Sequence, residues 1–138
     1  MSVLLDTHAL VWLLEGNERL GSTSRDLINV AASSSVLFVS AITPWEIAML
    51  VSKNRLTLAQ DVGEWLHDAL SLPGIRLEPL SVEVSVGSTR LPGEFHADPA
   101  DRIIVATARH LGAVLITEDK LILGYAAQGL VKAHRASA

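Results

Sequence analysis

Apolar residues along the chain form short continuous runs, separated by longer segments in which apolar positions recur at helical spacing. Short apolar runs are typical of strands buried on both faces of a sheet. The predicted strands are Val3–Leu5, Val36–Val39, Ile75–Leu80, Ala113–Ile116 and Leu130–Val131. The third of these alternates apolar and polar residues, which predicts a strand nearer an edge of the sheet.

Helical spacing predicts at least one helix between each pair of consecutive strands. The predicted helices are Ala9–Leu14, Ser22–Ala32, Pro44–Lys53, Asp61–Leu70, Pro99–Leu111 and Lys120–Tyr125. Ser81–Ser88 fits a helix or a strand, and we favour a short helix because a serine precedes Val82 and Glu83. Residues 132–138 are expected to be a frayed tail. Strands that alternate with helices predict an α/β fold with a mostly parallel sheet and right-handed crossovers.

Length, charge and composition narrow the class of protein. The chain of 138 residues has the size of a single domain. Its formal net charge of −4 gives no general attraction for nucleic acid, so a polyanionic substrate would need metal ions or a local basic patch. The chain has no cysteine, which excludes disulfides, thiolate metal sites and a cysteine nucleophile. No apolar run approaches the roughly 20 residues of a membrane span, so we expect a cytoplasmic protein.

Acidic residues follow three of the predicted strands. Asp6, Glu46 and Asp119 each come after an apolar strand and lie at or near the start of a helix. Parallel strands end at the same edge of a sheet, so these acids are expected to lie together. Asp101 falls in the first turn of the helix that leads into the strand before Asp119, which brings it to the same edge. Free backbone N–H groups at that helix start would favour its ionised form.

Helix capping is the alternative explanation for each acid alone. Asp6 or Thr7 would cap the first helix, and Asp98 followed by Pro99 has the pattern of a cap and a first helical residue. Thr43 and Glu46 have the spacing of a capping box. Capping does not explain why four acids fall at one edge. Clustered carboxylates repel one another, and Mg²⁺ or Mn²⁺ is the usual partner for such a set of oxygen ligands.

Other acid-rich α/β sites fit the sequence less well. A response-regulator receiver would have a pair of acids after its first strand, and a dehalogenase-type phosphatase a second aspartate two residues after the first. Thr7 and His8 stand at these positions. There is no phosphate-binding loop of the P-loop type.

Four segments resemble the motifs of PIN-domain proteins, most closely the VapC-type toxins of bacterial toxin–antitoxin pairs. In chain order they are Leu4–Trp12, Trp45–Ala48, His96–Arg102 and Leu115–Asp119. The resemblance implies a three-layer α/β/α sandwich and a Mg²⁺- or Mn²⁺-dependent endoribonuclease whose products carry a 5′-phosphate and a 3′-hydroxyl. It also implies a VapB-type antitoxin as partner and a homodimer. The alternative is a catalytically silent PIN-like module that binds protein.

The resemblance also assigns roles to individual residues. The metal-binding and catalytic acids carry over to Asp6, Glu46, Asp101 and Asp119. The hydroxyls of Thr7 and Thr117 match positions that support the site, and Asp98 matches a capping residue that contributes to it. Arg102, Lys120 and Arg109 are candidates for contacts with RNA phosphates, with solvated helix charges as the alternative.

The chain departs from the family pattern at two positions. Ala100 stands where an aromatic residue is frequent, and Leu50 stands where a lysine commonly follows the glutamate. Lys53, one turn further along the same helix, is a candidate substitute. We expect Trp45 to pack against the protein, and His96 and Arg90 to lie in a solvated loop.

Overall fold

The computed structural model describes residues 1–138 and contains one sheet of five parallel strands. The strands are β1 (Val3–Leu5), β2 (Leu37–Ser40), β3 (Ile75–Glu78), β4 (Val114–Thr117) and β5 (Ala133–Arg135). They lie in the order β3-β2-β1-β4-β5, with β1 at the centre. Leu4 of β1 is in register with Phe38 of β2 and Leu115 of β4. The predicted parallel sheet is confirmed, and β3 lies at its edge as the alternating pattern indicated.

Seven helices accompany the sheet. They are α1 (Thr7–Leu14), α2 (Ser22–Ser33), α3 (Ile42–Ser52), α4 (Val62–Leu70), α5 (Val82–Ser88), α6 (Pro99–Leu111) and α7 (Lys120–Ala127). The short helix favoured at Ser81–Ser88 is present, and the Ser81 hydroxyl accepts a hydrogen bond from the Val84 N–H at 3.1 Å. Gly112 ends α6 in the left-handed conformation, with φ of 61°. None of these helices is long and apolar enough to cross a membrane.

Helices cover both faces of the sheet and produce three layers. Successive strand residues point to opposite faces, so Val3 and Leu5 pack in one core and Leu4 in the other. The first core includes residues of α1, α2, α3 and α4, and the second includes residues of α6 and α7. The α/β/α sandwich is therefore confirmed. Each fully buried leucine of β1 stabilises it by about 2 kcal/mol.

The carboxyl-terminal residues are ordered against the rest of the chain, so the predicted frayed tail is wrong. The last strand is Ala133–Arg135, whereas Leu130 and Val131, predicted as the strand, precede it. The Ala136 N–H donates to the Thr117 carbonyl at 2.9 Å, and the Gly21 N–H donates to the Ala136 carbonyl at 2.9 Å. Backbone hydrogen bonds hold this segment in place. The side chains of Ala133–Arg135 do not have the apolar pattern from which a strand is predicted.

Candidate active site

Acidic side chains from four parts of the chain line one pocket at the carboxyl edge of the sheet. The pocket has a volume of about 390 Å³. It is lined by Asp6, Thr7, His8, Trp12, Glu46, Asp98, Asp101, Ile104, Glu118 and Asp119. Six of these ten residues carry a carboxyl group, and none is lysine or arginine. The predicted convergence of the four acids is thus found in the structure.

Asp6 is both a helix cap and a wall of the pocket. Its carboxylate accepts a hydrogen bond from the Ala9 N–H at 2.8 Å and caps α1. Its other oxygen accepts a hydrogen bond from the Thr117 hydroxyl. The side chain is buried, because β1 is the central strand and its carboxyl end is covered on both sides. Asp6 therefore caps α1 and also lines the pocket.

Thr117 connects Asp6 with Asp119. Its hydroxyl donates to Asp6 and accepts from the Asp119 N–H at 3.0 Å. Asp119 in turn caps α7, where its Oδ1 accepts from the Leu121 N–H at 2.9 Å and from the Ile122 N–H at 3.0 Å. The hydroxyl predicted from the family pattern thus holds two pocket acids in a fixed relation.

Glu46 is not part of a capping box, so that alternative is wrong. Helix α3 begins at Ile42, one turn before Glu46, and Thr43 lies inside its first turn without capping it. The Thr7 hydroxyl donates instead to Glu46 Oε1. The hydroxyl oxygens of Thr7 and Thr43 lie 3.3 Å apart, which leaves Thr43 as the donor to Thr7. Two buried hydroxyls therefore turn Glu46 toward the pocket.

Asp101 lies at the head of α6, where Asp98 is the cap. The Asp101 N–H donates to Asp98 Oδ1 at 3.0 Å. The Asp101 carboxylate faces His96, with 3.1 Å between Oδ2 and the imidazole Nε2. His96 is half-buried beside the pocket, so the expectation of a solvated loop residue is wrong for it.

Burial and mutual repulsion disfavour the ionised form of two pocket acids. Burial raises the pKa of Asp6 from 3.8 to about 6, against the opposing hydrogen bonds from Thr117 and Ala9. Burial and four neighbouring carboxylates raise the pKa of Asp101 from 3.8 to about 7. These effects outweigh the helix-start N–H groups that were expected to favour an ionised Asp101. The pocket thus brings together carboxyl groups whose ionised forms repel one another, and no lysine or arginine lies in its wall to relieve that repulsion.

The three predicted phosphate contacts lie outside the pocket wall. Arg102 turns away from it and donates to backbone carbonyls of residues 88, 95 and 96. Arg109 donates to the Leu130 carbonyl, about 12 Å along α6 from Asp101. The structure gives both arginines contacts within the protein in place of a free charge at the site. Lys120 is exposed and lines a neighbouring pocket with His96.

The structure also locates the residues at which the chain departs from the family pattern. Ala100 is buried in the first turn of α6. Leu50 is half-buried on α3, and Lys53 follows the last residue of that helix without lining the pocket. Trp45 is 58% exposed, so the prediction that it packs against the protein is wrong.

The donor chemistry of the pocket fits a hard divalent cation. Its six carboxyl groups offer oxygen ligands, and no lysine or arginine lies in the wall to balance their charge. No three acidic or histidine side chains lie close enough together to form a complete metal-binding group. The pocket thus presents the ligand type and the charge that such an ion requires, with the carboxylates standing apart.

Sequence reasoning missed four residues that shape the site. The local pattern indicates only a cap at Thr43, and it assigns no role to three residues that line the pocket, Trp12, His8 and Glu118. His8 and Trp12 are four residues apart on α1 and follow directly from Asp6, so helical spacing carries a signal for them. Nothing in the local sequence reveals that Thr43 contacts Thr7, which is 36 residues away.

The fold and the pocket define an α/β sandwich protein with an acidic site at the carboxyl edge of its sheet. Residues 3–127 match the model of the PIN domain, and the chain belongs to this family. It is 34% identical over 119 residues to Ribonuclease VapC22 from Mycobacterium tuberculosis, covering 86% of this chain and 88% of that protein. The resemblance drawn from the four motifs is therefore confirmed.

Solved structures share the fold at lower identity. VapBC2 from Rickettsia felis, bound to a DNA fragment from its promoter, superimposes with a TM-score of 0.70 at 17% identity and 98% coverage of both chains. FitAcB from Neisseria gonorrhoeae gives 0.64 at 24% identity and 97% coverage of both chains. A toxin–antitoxin complex from Klebsiella pneumoniae gives 0.62 at 23% identity, covering 89% of this chain and 92% of that one.

Proposed function

We propose that residues 1–138 act as one PIN domain that hydrolyses RNA phosphodiester bonds with Mg²⁺ or Mn²⁺, as the toxin of a VapBC-type pair. The observation that carries this proposal is the pocket that six carboxyl groups line without a lysine or arginine. The family supports it, since a relative that matches most of the chain is a ribonuclease.

Asp6, Glu46, Asp101 and Asp119 are the residues proposed to hold the cation. The cation, when bound, would neutralise the carboxylates, acidify a bound water and stabilise the leaving oxygen. Asp6 and Asp119 are pre-oriented by Thr117, and Glu46 is pre-oriented by Thr7. This arrangement limits the reorganisation that the reaction requires.

The reaction proposed is attack by water on a phosphorus atom of the RNA backbone. One pocket carboxylate orients the water and takes its proton while the new P–O bond forms. The bond from phosphorus to the 3′-oxygen breaks, and that oxygen takes a proton from solvent water and leaves as a hydroxyl. The products carry a 5′-phosphate and a 3′-hydroxyl.

The strand of RNA is proposed to reach the pocket past Trp12. Trp12 is an aromatic residue in the pocket wall, and the guanidinium carbon of Arg19 lies 4.8 Å from the centre of its ring. A guanidinium held over an aromatic ring offers both positive charge and a flat surface for a base. Lys120, exposed beside Asp119, remains a proposed phosphate contact.

A VapB-type antitoxin is the proposed protein partner, and the toxin is proposed to form a homodimer. The support is the fold shared with chains of solved toxin–antitoxin complexes. An antitoxin segment that covers the pocket would block RNA, and a basic side chain in that segment would match its charge.

Cleavage of total RNA by the purified protein tests the proposal. We expect cutting with Mg²⁺ or Mn²⁺, none with EDTA, and a loss of at least a hundredfold in Asp6→Asn and Asp101→Asn. Asp26→Asn is the matched control, because Asp26 is exposed on α2 away from the pocket. A folded protein that neither cuts RNA nor binds Mn²⁺ would refute the nuclease proposal and favour the alternative, a catalytically silent module that binds protein.

A further inference from the structure

The side chain of Arg102 connects α6 to the loop of residues 89–98 that precedes it. Its Nε–H donates to the Ser88 carbonyl at 2.8 Å, at the end of α5. Its Nη1 donates to the carbonyls of Phe95 at 2.9 Å and His96 at 3.2 Å. One guanidinium thus fastens both ends of the loop to the first turn of α6 through charge-assisted hydrogen bonds.

Aromatic contacts hold the same loop at its middle and its end. The Phe95 ring lies 5.0 Å from the ring of Tyr125 and 4.5 Å from that of His96. The Tyr125 hydroxyl donates to the Pro92 carbonyl. Tyr125 is a residue of α7 whose side chain is buried in the core, so these contacts tie the loop to a rigid part of the fold.

Asp101 depends on this loop more than the other pocket acids depend on their surroundings. Asp6 and Asp119 are each oriented by backbone N–H groups, and Glu46 by a hydroxyl. The Asp101 carboxylate has no such hydrogen bond, and its polar contact is with His96. The position of His96 is therefore what orients Asp101.

We propose that Arg102 is a positioning residue of the active site. It clamps the backbone on either side of the His96 ring, and His96 then sets the orientation in which Asp101 meets the cation. This inference rests on the proposed function, since it concerns the same metal site. A lysine cannot replace the guanidinium, because all its N–H donors lie on one nitrogen, whereas Arg102 donates to the Ser88 carbonyl from Nε and to the other two carbonyls from Nη1.

The test compares Mn²⁺ affinity, measured by calorimetry, in variants of the full chain. We expect Arg102→Met to weaken Mn²⁺ binding roughly ten- to a hundredfold, which is the range for residues that orient metal ligands. Arg102→Lys keeps the charge and most of the packing and is expected to show the same loss. The matched control is Arg109→Met. It removes a guanidinium near the other end of α6, together with the hydrogen bond of that guanidinium to the Leu130 carbonyl. It should lower the unfolding temperature and leave Mn²⁺ affinity unchanged.

The double variant identifies the route of the effect. If Arg102 acts through His96, then His96→Ala combined with Arg102→Met binds Mn²⁺ no more weakly than His96→Ala alone. The proposal would be overturned if the loss of Mn²⁺ affinity in the double variant equalled the product of the two single losses. It would also be overturned if Arg102→Met weakened Mn²⁺ binding no more than Arg109→Met does.

A metal-free measurement separates this inference from the proposed function. In the absence of any cation, His96→Ala should shift the unfolding temperature less in the Arg102→Met background than in the wild-type or Arg109→Met background. A wild-type protein that binds no Mn²⁺ but shows this coupling would refute the metal site and retain the clamp on His96. Equal shifts in all three backgrounds would refute the clamp.

Discussion

Replacing Asp101 with asparagine is expected to stabilise the metal-free protein at neutral pH. The ionised carboxylate is disfavoured first by burial and then by four nearby carboxylates, which together raise its pKa to about 7. The neighbours are Asp98, Asp119, Glu46 and Asp6. Asparagine has nearly the same shape and no charge, so the substitution removes the repulsion and preserves the start of α6.

The sign of the pH dependence follows from the raised pKa. Between its ordinary pKa of 3.8 and about 7, Asp101 holds a proton in the folded state more often than in the unfolded state. The free energy of unfolding therefore falls as pH rises through this window. Below this window Asp101 is protonated in both states and does not change the free energy of unfolding. Above it Asp101 is ionised in both states, and its buried charge lowers the free energy of unfolding. Asparagine should match wild type near pH 4 and exceed it at pH 8.

The magnitude can be worked from the size of the shift. A rise from 3.8 to about 7 corresponds to about 4 kcal/mol if the group were fully shielded from water. The side chain is 23% exposed, and solvent screening reduces the expected gain to about 1–2 kcal/mol. For a chain of this length, that gain raises the unfolding temperature by roughly 3–8 °C.

Thermal unfolding followed by circular dichroism at pH 4 and pH 8 measures this effect, with EDTA and low salt throughout. Asp26→Asn on the exposed side of α2 is the control and should behave as wild type at both pH values. Adding Mn²⁺ at pH 8 should reverse the order, since the wild type gains stability from the ion and the variant does not. An Asp101→Asn protein that is less stable than wild type at pH 8 in EDTA would refute the account of the pocket charge.

Three further substitutions test separate parts of the structure. Thr117→Val removes the hydroxyl between Asp6 and Asp119 and is expected to slow RNA cleavage about tenfold. Thr117→Ser keeps the hydroxyl and should retain most of the wild-type rate. Equal rates for Thr117→Val and wild type would contradict the role of this hydroxyl. Arg19→Gln is expected to raise KM for RNA several-fold with kcat unchanged, and Arg55→Gln at an exposed position in the turn after α3 should leave both constants unchanged. Gly21→Ala would place its new methyl 2.2 Å from the Ala138 carbonyl carbon. Urea unfolding should therefore show a loss of about 1–3 kcal/mol in the free energy of unfolding. The control is Gly124→Ala, whose methyl meets nothing within 4 Å and should be neutral or stabilising.

The fold and the convergence of the acids could be predicted because local pattern and topology determine them. An apolar strand such as Val3–Leu5 followed by Asp6 fixes both the strand and the edge at which the acid lies. Asp98 and Pro99 identify the start of α6 from capping chemistry alone, and that boundary is confirmed at Pro99.

Contacts between distant residues could not be predicted in the same way. Glu46 has the spacing of a capping box, and only the tertiary contact with Thr7 on another helix shows that it faces the pocket. Arg102 lies next to Asp101 in sequence, yet its partners are carbonyls of a loop whose path no local pattern specifies. Strand β5 is polar, and it is held by pairing with β4 that its side chains do not indicate.

The central claim is that these carboxylates form one divalent-cation site, and diffraction from crystals grown with Mn²⁺ tests it most directly. Data collected at the manganese absorption edge should show an anomalous peak inside the acidic pocket, within coordination distance of oxygens from at least three of Asp6, Glu46, Asp101 and Asp119. Crystals of Asp101→Asn grown in the same way should lose or weaken that peak. An empty pocket in crystals soaked at a high Mn²⁺ concentration, or an anomalous peak found only elsewhere on the surface, would contradict the account.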